Sequence, residues 1–143
     1  MPGAMVVAQR ADDHVLLTRR GDDGTWCLPG GAAEVGGSFV TTAKAELLEE
    51  VGLTAELSDL VAFGTLSEAR HQTVEYPNGD VTHCFAVLFV LRRWHGTPSP
   101  DGEEAVEARF VAPDQLPEPV KAPSLEAVRL FRNYVSTGNF QVG

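Results

Sequence analysis

The chain has 143 residues, 43% of them hydrophobic and 22% charged, with a formal net charge of −9. That length suits one domain with one real core, so a single domain spanning residues 1–143 is expected. A surplus of carboxylates argues against a nucleic acid polymer as partner, which needs clustered Lys and Arg, and no stretch approaches the roughly 20 apolar residues of a membrane span.

The apolar run at the start is short and no basic region precedes it, so a cytoplasmic protein without a secretory leader is expected. Residues 4–8 read as a strand, Asp12 and Asp13 as a turn, and residues 14–20 as a second strand ending in Arg19 and Arg20. A polar loop leads to a brief strand at 26–28. Pro29, Gly30 and Gly31 then turn the chain toward a helix. Cys27 and Cys84 lie in apolar, strand-like contexts and are expected as buried free thiols.

In that helix Ser38 can accept a hydrogen bond from an otherwise unpaired backbone N–H, and Gly52 can take the left-handed position that ends it. Phe39, Ala43, Leu47 and Val51 recur every four residues and form an apolar face. Glu46, Glu49 and Glu50 lie off it, within an arc of about 100°. Glu46 and Glu50 are a like-charge i,i+4 pair, and all three face the negative end of the helix dipole. Local helix physics disfavours this arrangement. A hard divalent cation such as Mg²⁺ or Mn²⁺ would reverse both penalties. The competing reading is an acidic, solvated helix face.

After Gly52, residues 56–67 suggest one bent strand and 68–72 a polar segment with Arg70 and His71. Residues 73–91 read as a hairpin. Its first strand ends at Tyr76, Asn78 and Gly79 supply the turn, and 81–91 is a central strand buried on both faces, with His83 as a hydrogen-bonded packing residue. Glu103, Glu104 and Glu107 precede a strand at 108–111. Pro123 and Ser124 open a second amphipathic helix, with Leu125, Val128, Leu130, Phe131 and Val135 available for burial and Gly138 at its end. The tail 139–143 is expected to fray. Strands, helix, strands, helix suggests a mixed sheet between two helices, an α/β class.

The stretch from Gly31 to Leu53 resembles the signature of the Nudix hydrolases: a Gly, five residues, a Glu, seven residues, then Arg-Glu-apolar-x-Glu-Glu-x-Gly-apolar. Trp26, Leu28, Pro29 and Gly30 match what usually leads into it. The spacing is intact, but Gly37 stands at the first Glu and Ala45 at the Arg. In the family that Arg helps to hold the first helical Glu. Lys44 points about 100° away around the helix and is a poor substitute; Glu34 is a candidate stand-in for the missing Glu.

The resemblance implies an α/β/α sandwich with a mixed β-sheet between helices, and a hydrolase cleaving the pyrophosphate linkage of nucleoside diphosphate derivatives. It implies Glu49 and Glu50 as principal Mg²⁺ ligands, with Mn²⁺ able to substitute, joined by Glu46 and the backbone carbonyl of Gly30. Candidates for the general base are Glu46 and Glu104, with Glu103 and Glu107 behind them. Arg20 and Tyr76, with Asn78 near the same turn, are candidates for the substrate side; Phe63 and Phe85 are expected in the core. A homodimer is open, since dimers are common in the family. Two other readings stand beside this one: a nucleoside triphosphate pyrophosphatase, and a Nudix domain that binds nucleotide without turnover because Gly37 and Ala45 replace charged residues.

Overall fold

The computed structural model describes all 143 residues. Its largest sheet is built on the apolar run near the middle of the chain. Strand β8 (Phe85–Leu91) lies at its centre, parallel to β1 (Pro2–Ala8) and antiparallel to β5 (Leu60–Leu66). The edges are β4 (Gly30–Ala32), antiparallel to β1, and β10 (Gln141–Val142), parallel to β5. Strands β2 (Val15–Arg20), β3 (Trp26–Cys27) and β9 (Ala105–Val111) form a second, antiparallel sheet, with β2 in the middle.

Period-two alternation places the core on both faces of the large sheet. Ala4, Val6 and Ala8 of β1 and Phe89 and Leu91 of β8 pack against Ala43, Leu47 and Val51 of helix α1 (Phe39–Val51). Val7, Leu88 and Val90 face the other way, onto Ala127, Val128, Leu130 and Phe131 of the long C-terminal helix (Ala122–Thr137). A bulge between Ala62 and Gly64 lets β5 turn Phe63 and Leu66 to the second face, where Phe63 meets Phe131 edge-on at 5.2 Å. The sheet therefore lies between two helices, as expected.

Helix α1 begins and ends where its sequence indicates. Thr41 N–H donates to Ser38 Oγ at 3.2 Å and Ser38 N–H to Thr41 Oγ1 at 2.8 Å, a reciprocal cap with Thr in the usual Glu position. Gly52 has φ 69°, left-handed, and its N–H donates to the Leu48 carbonyl.

Three expectations need correction. The segment 81–91 is not one strand: β7 (Val81–His83) pairs only with β6 (Thr73–Glu75), and the chain breaks at Cys84 before β8 changes partners to β1 and β5. The hairpin is thus confined to β6 and β7. Residues 56–67 do hold one bent strand, the bulged β5, after a short 3₁₀ turn (Leu57–Asp59), and the polar residues 69–72 wind into a single helical turn, α2 (Ala69–Gln72), which makes the C-terminal helix α3. The tail does not fray. Gly64 has no side chain where Gln141 O would stand 2.8 Å from a Cβ, so β10 closes onto β5, and Ser67 N–H donates to the Gly143 carbonyl. In α3, Leu125 and Val135 are exposed while Val128, Leu130 and Phe131 are buried.

Candidate active site

Three elements bring carboxylates together. Glu46 and Glu50 project from the last turns of α1, and Glu104 comes from the loop before β9; one oxygen of each lies within 4.8 Å of the others. Glycine is required where the loop meets them. A Cβ on Gly31 would stand 2.6 Å from Glu46 Oε1, and one on Gly30 would stand 2.3 Å from the Ala4 carbonyl. Edge strand β4 therefore runs tightly between β1 and the acidic helix, and Gly30 N–H donates to Glu50 Oε2 at 3.1 Å.

No Lys, Arg or His forms an ion pair with any of the three. Burial, then the charges of Glu49, Glu104 and Glu34, raises the Glu46 pKa to about 7. Burial, then Glu46, raises that of Glu50 to about 8, with the Gly30 N–H acting the other way. An all-oxygen, acidic donor set without a cationic partner suits a hard divalent ion. Oxygens stand about 2.1 Å from Mg²⁺, so a trio within 4.8 Å needs only small side-chain rotations to close on one ion. The residues present fit such a metal.

Glu49 stands outside this trio. It is exposed and lines a separate cavity of about 240 Å³ beside Glu46, together with Glu34, Gly37 and Ala45. The two departures from the motif thus adjoin a space holding carboxylates and no cation. Glu103 is exposed, and Glu107 is held by Arg109 at 2.5 Å and Arg19 at 3.2 Å, which lower its pKa, Arg109 foremost. Arg19 is thereby paired with a carboxylate outside the trio.

Glu50, Gly30 and Gly31 form one wall of a cleft of about 270 Å³. Arg20 lines it, paired with Asp22 at 2.7 Å, as does Lys121, paired with Asp23 at 3.2 Å. Tyr76 does not: the β6–β7 turn, closed by Tyr76 N–H to the Asp80 carbonyl, holds it at the exposed tip with Asn78. Phe85, expected in the core, is 51% exposed and lines the cleft, because it begins β8 just after the break at Cys84. Gln72 and Lys121 also line it, and nothing in their local sequence marks them. Cys27 and Cys84 are both free, as expected, but only partly buried, and both face this cleft. His83 is hydrogen-bonded to the Ser67 carbonyl at 2.6 Å, though on the surface.

The NUDIX domain family model matches residues 1–131. The chain belongs to the Nudix hydrolase family. Its class as a pyrophosphohydrolase follows from that membership. A MutT-like protein of Streptomyces ambofaciens is 41% identical over 124 residues, 87% of this chain and 70% of that protein. Among solved structures, the Nudix fold here resembles an ADP-ribose pyrophosphatase of Streptococcus suis 89-1591, with TM-score 0.73, 21% identity, and coverage of 99% of this chain and 98% of that one. It also resembles the NUDIX domain of Shewanella oneidensis NrtR complexed with ADP ribose, with TM-score 0.73, 17% identity, and coverage of 94% and 88%. No helix of this Nudix protein is long and apolar enough to cross a membrane.

Proposed function

We propose that this protein is a Mg²⁺-dependent hydrolase of nucleoside diphosphates joined to a second group, ADP-ribose-like or sugar-linked, with Mn²⁺ able to substitute. The observation that carries the reading is the carboxylate trio of Glu46, Glu50 and Glu104, whose member Glu50 also lines a cleft. Ligand pockets usually measure about 300–1,000 Å³, so the cleft of about 270 Å³ suits one nucleoside-sized end of a substrate, leaving the other end over the open side. The exposed ring of Phe85 offers that end a stacking face.

Glu46, Glu50 and Glu104 would hold the cation; the family pattern adds Glu49 and the Gly30 carbonyl. When bound, the cation neutralises phosphate oxygens and makes hydroxide available near neutral pH. The chain supplies the rest. Gly30 N–H fixes one oxygen of Glu50. Glu104 and Glu46 are the candidates to take the proton of an attacking water, one from the loop before β9 and one from α1. Arg20 reaches the cleft from β2, and Arg20 and Lys121 are the two cationic side chains in its lining.

The test is a panel of ADP-ribose, nucleotide sugars and nucleoside triphosphates with Mg²⁺ and with Mn²⁺, read by product chromatography. Two monophosphates are the expected products. Monophosphate plus pyrophosphate would instead identify a nucleoside triphosphate pyrophosphatase. Tight nucleotide binding without turnover would point to the cavity beside Ala45 and Gly37 as the mark of a domain that only binds.

A further inference from the structure

Glu104 comes from a loop, and a loop residue reaches two helical carboxylates only if something fixes its backbone. The loop supplies that fixture. Asp101 Oδ1 accepts from Glu103 N–H at 3.0 Å and from Ala105 N–H at 2.9 Å, so one oxygen grips the backbone on both sides of Glu104. The Asp101 N–H donates to the carbonyl of Glu50 at 3.1 Å, which ties this grip to the helical turn bearing a second member of the trio. From the opposite side, Gly21 N–H donates to the Glu104 carbonyl at 3.2 Å. A Cβ on Gly21 would stand 2.5 Å from the Glu103 carbonyl, so a larger residue there must push the loop away. Gly102, at φ 87°, supplies the left-handed turn between Asp101 and Glu103, and its N–H donates to the Ala105 carbonyl at 2.8 Å.

We infer that Asp101 is a positioning residue: its side chain sets the Glu104 carboxylate against Glu46 and Glu50, and Gly21 keeps open the space in which it does so. This rests on the proposed role of Glu104 in holding the cation. The chemistry of the grip needs an acceptor oxygen and no charge. Asn supplies that oxygen and Ala does not. The negative charge of Asp101 acts separately, as one of the influences raising the Glu50 pKa. Comparing Asp101→Asn with wild type therefore isolates the charge, and comparing Asp101→Ala with Asp101→Asn isolates the grip.

Displacing a catalytic group by about 1 Å can cost on the order of 100-fold. Asp101→Asn should keep kcat within about threefold of wild type, whereas Asp101→Ala should lose at least about tenfold in kcat with little change in KM. Mn²⁺ binding to the substrate-free protein, followed by electron paramagnetic resonance of the unbound ion, should weaken in Asp101→Ala and not in Asp101→Asn. Gly21→Ala, which disturbs the loop from the other side, should reproduce the Asp101→Ala pattern and serves if that variant fails to fold. Neither change should add to Glu104→Gln in a double mutant, because both act through Glu104. If Glu104→Gln alters Mn²⁺ binding and kcat but Asp101→Ala matches Asp101→Asn, or its loss is additive with Glu104→Gln, the positioning role is overturned. If Glu104→Gln changes neither quantity, the role assigned to Glu104 fails first and Asp101 has nothing to position.

Discussion

Glu50 hydrogen-bonds the Gly30 N–H, yet burial and the Glu46 carboxylate still hold its pKa near 8 in the metal-free protein, against an ordinary value of 4.5. The unfolded chain therefore gives up this proton first. The stability linked to protonated Glu50 is complete below pH 4.5 and is lost as pH rises toward 8; Glu46 does the same up to about 7. Glu50→Gln keeps an acceptor for Gly30 and removes the charge. In EDTA it should melt several degrees above wild type at pH about 8 and near wild type at pH about 4. Added Mg²⁺ should raise the melting temperature of wild type far more than that of the variant. Its turnover should fall at least about 100-fold, beyond the loss typical of outer-shell changes. A variant that melts below wild type at high pH would show that the carboxylate charge is already compensated. Ala45 poses the converse case. The adjoining cavity presents Glu34, Glu46 and Glu49 to no cation, so Ala45→Arg should lower the Glu46 pKa and raise kcat several-fold. The acidic limb of the pH–rate profile should move down with it. Ala45→Leu fills the same space without charge and should do neither.

Helix α1 was legible because its signals are local: Ser38 and Gly52 act on neighbours one turn away, and Ala43, Leu47 and Val51 obey one period. The break at Cys84 was not, because residues 81–91 are uniformly strand-forming and only a change of partner, from β6 to β1 and β5, divides them. The same break lifts Phe85 out of the core and into the cleft. The closing strand β10 depends on Gly64, 77 residues before Gln141, and no local propensity carries that contact. In the site, the α1 glutamates could be found from spacing. Gln72 and Lys121 could not, since tertiary folding alone brings them to one wall. Local signals also have measurable weight. Ser38→Ala removes the acceptor for Thr41 N–H and should cost about 1 kcal/mol in urea unfolding, with no change in the unfolding slope. A loss of only a few tenths would mean that Thr41 alone caps the helix.

Across the whole molecule the charge of −9 works against an anionic substrate. Arg20 and Lys121, the basic side chains of the cleft, are each matched by an aspartate, Asp22 and Asp23. The protein itself therefore offers little net positive field to a diphosphate, and attraction must come with the bound cation. The Debye length shortens from about 30 Å at 0.01 M salt to about 8 Å at 0.15 M. Salt over that range should screen the distant surface carboxylates while leaving the cation's contact with phosphate largely intact. At fixed free Mg²⁺, kcat/KM should consequently rise with KCl, through faster association, by about two- to fivefold. That is the reverse of the usual behaviour of a steered, oppositely charged pair. The rise should shrink when acidic surface residues lining a separate hollow are neutralised, as in Glu56→Gln with Asp59→Asn. A kcat/KM that falls with salt would show that the cleft already presents a positive field, and that Arg20 or Lys121 leaves its aspartate to meet the phosphates.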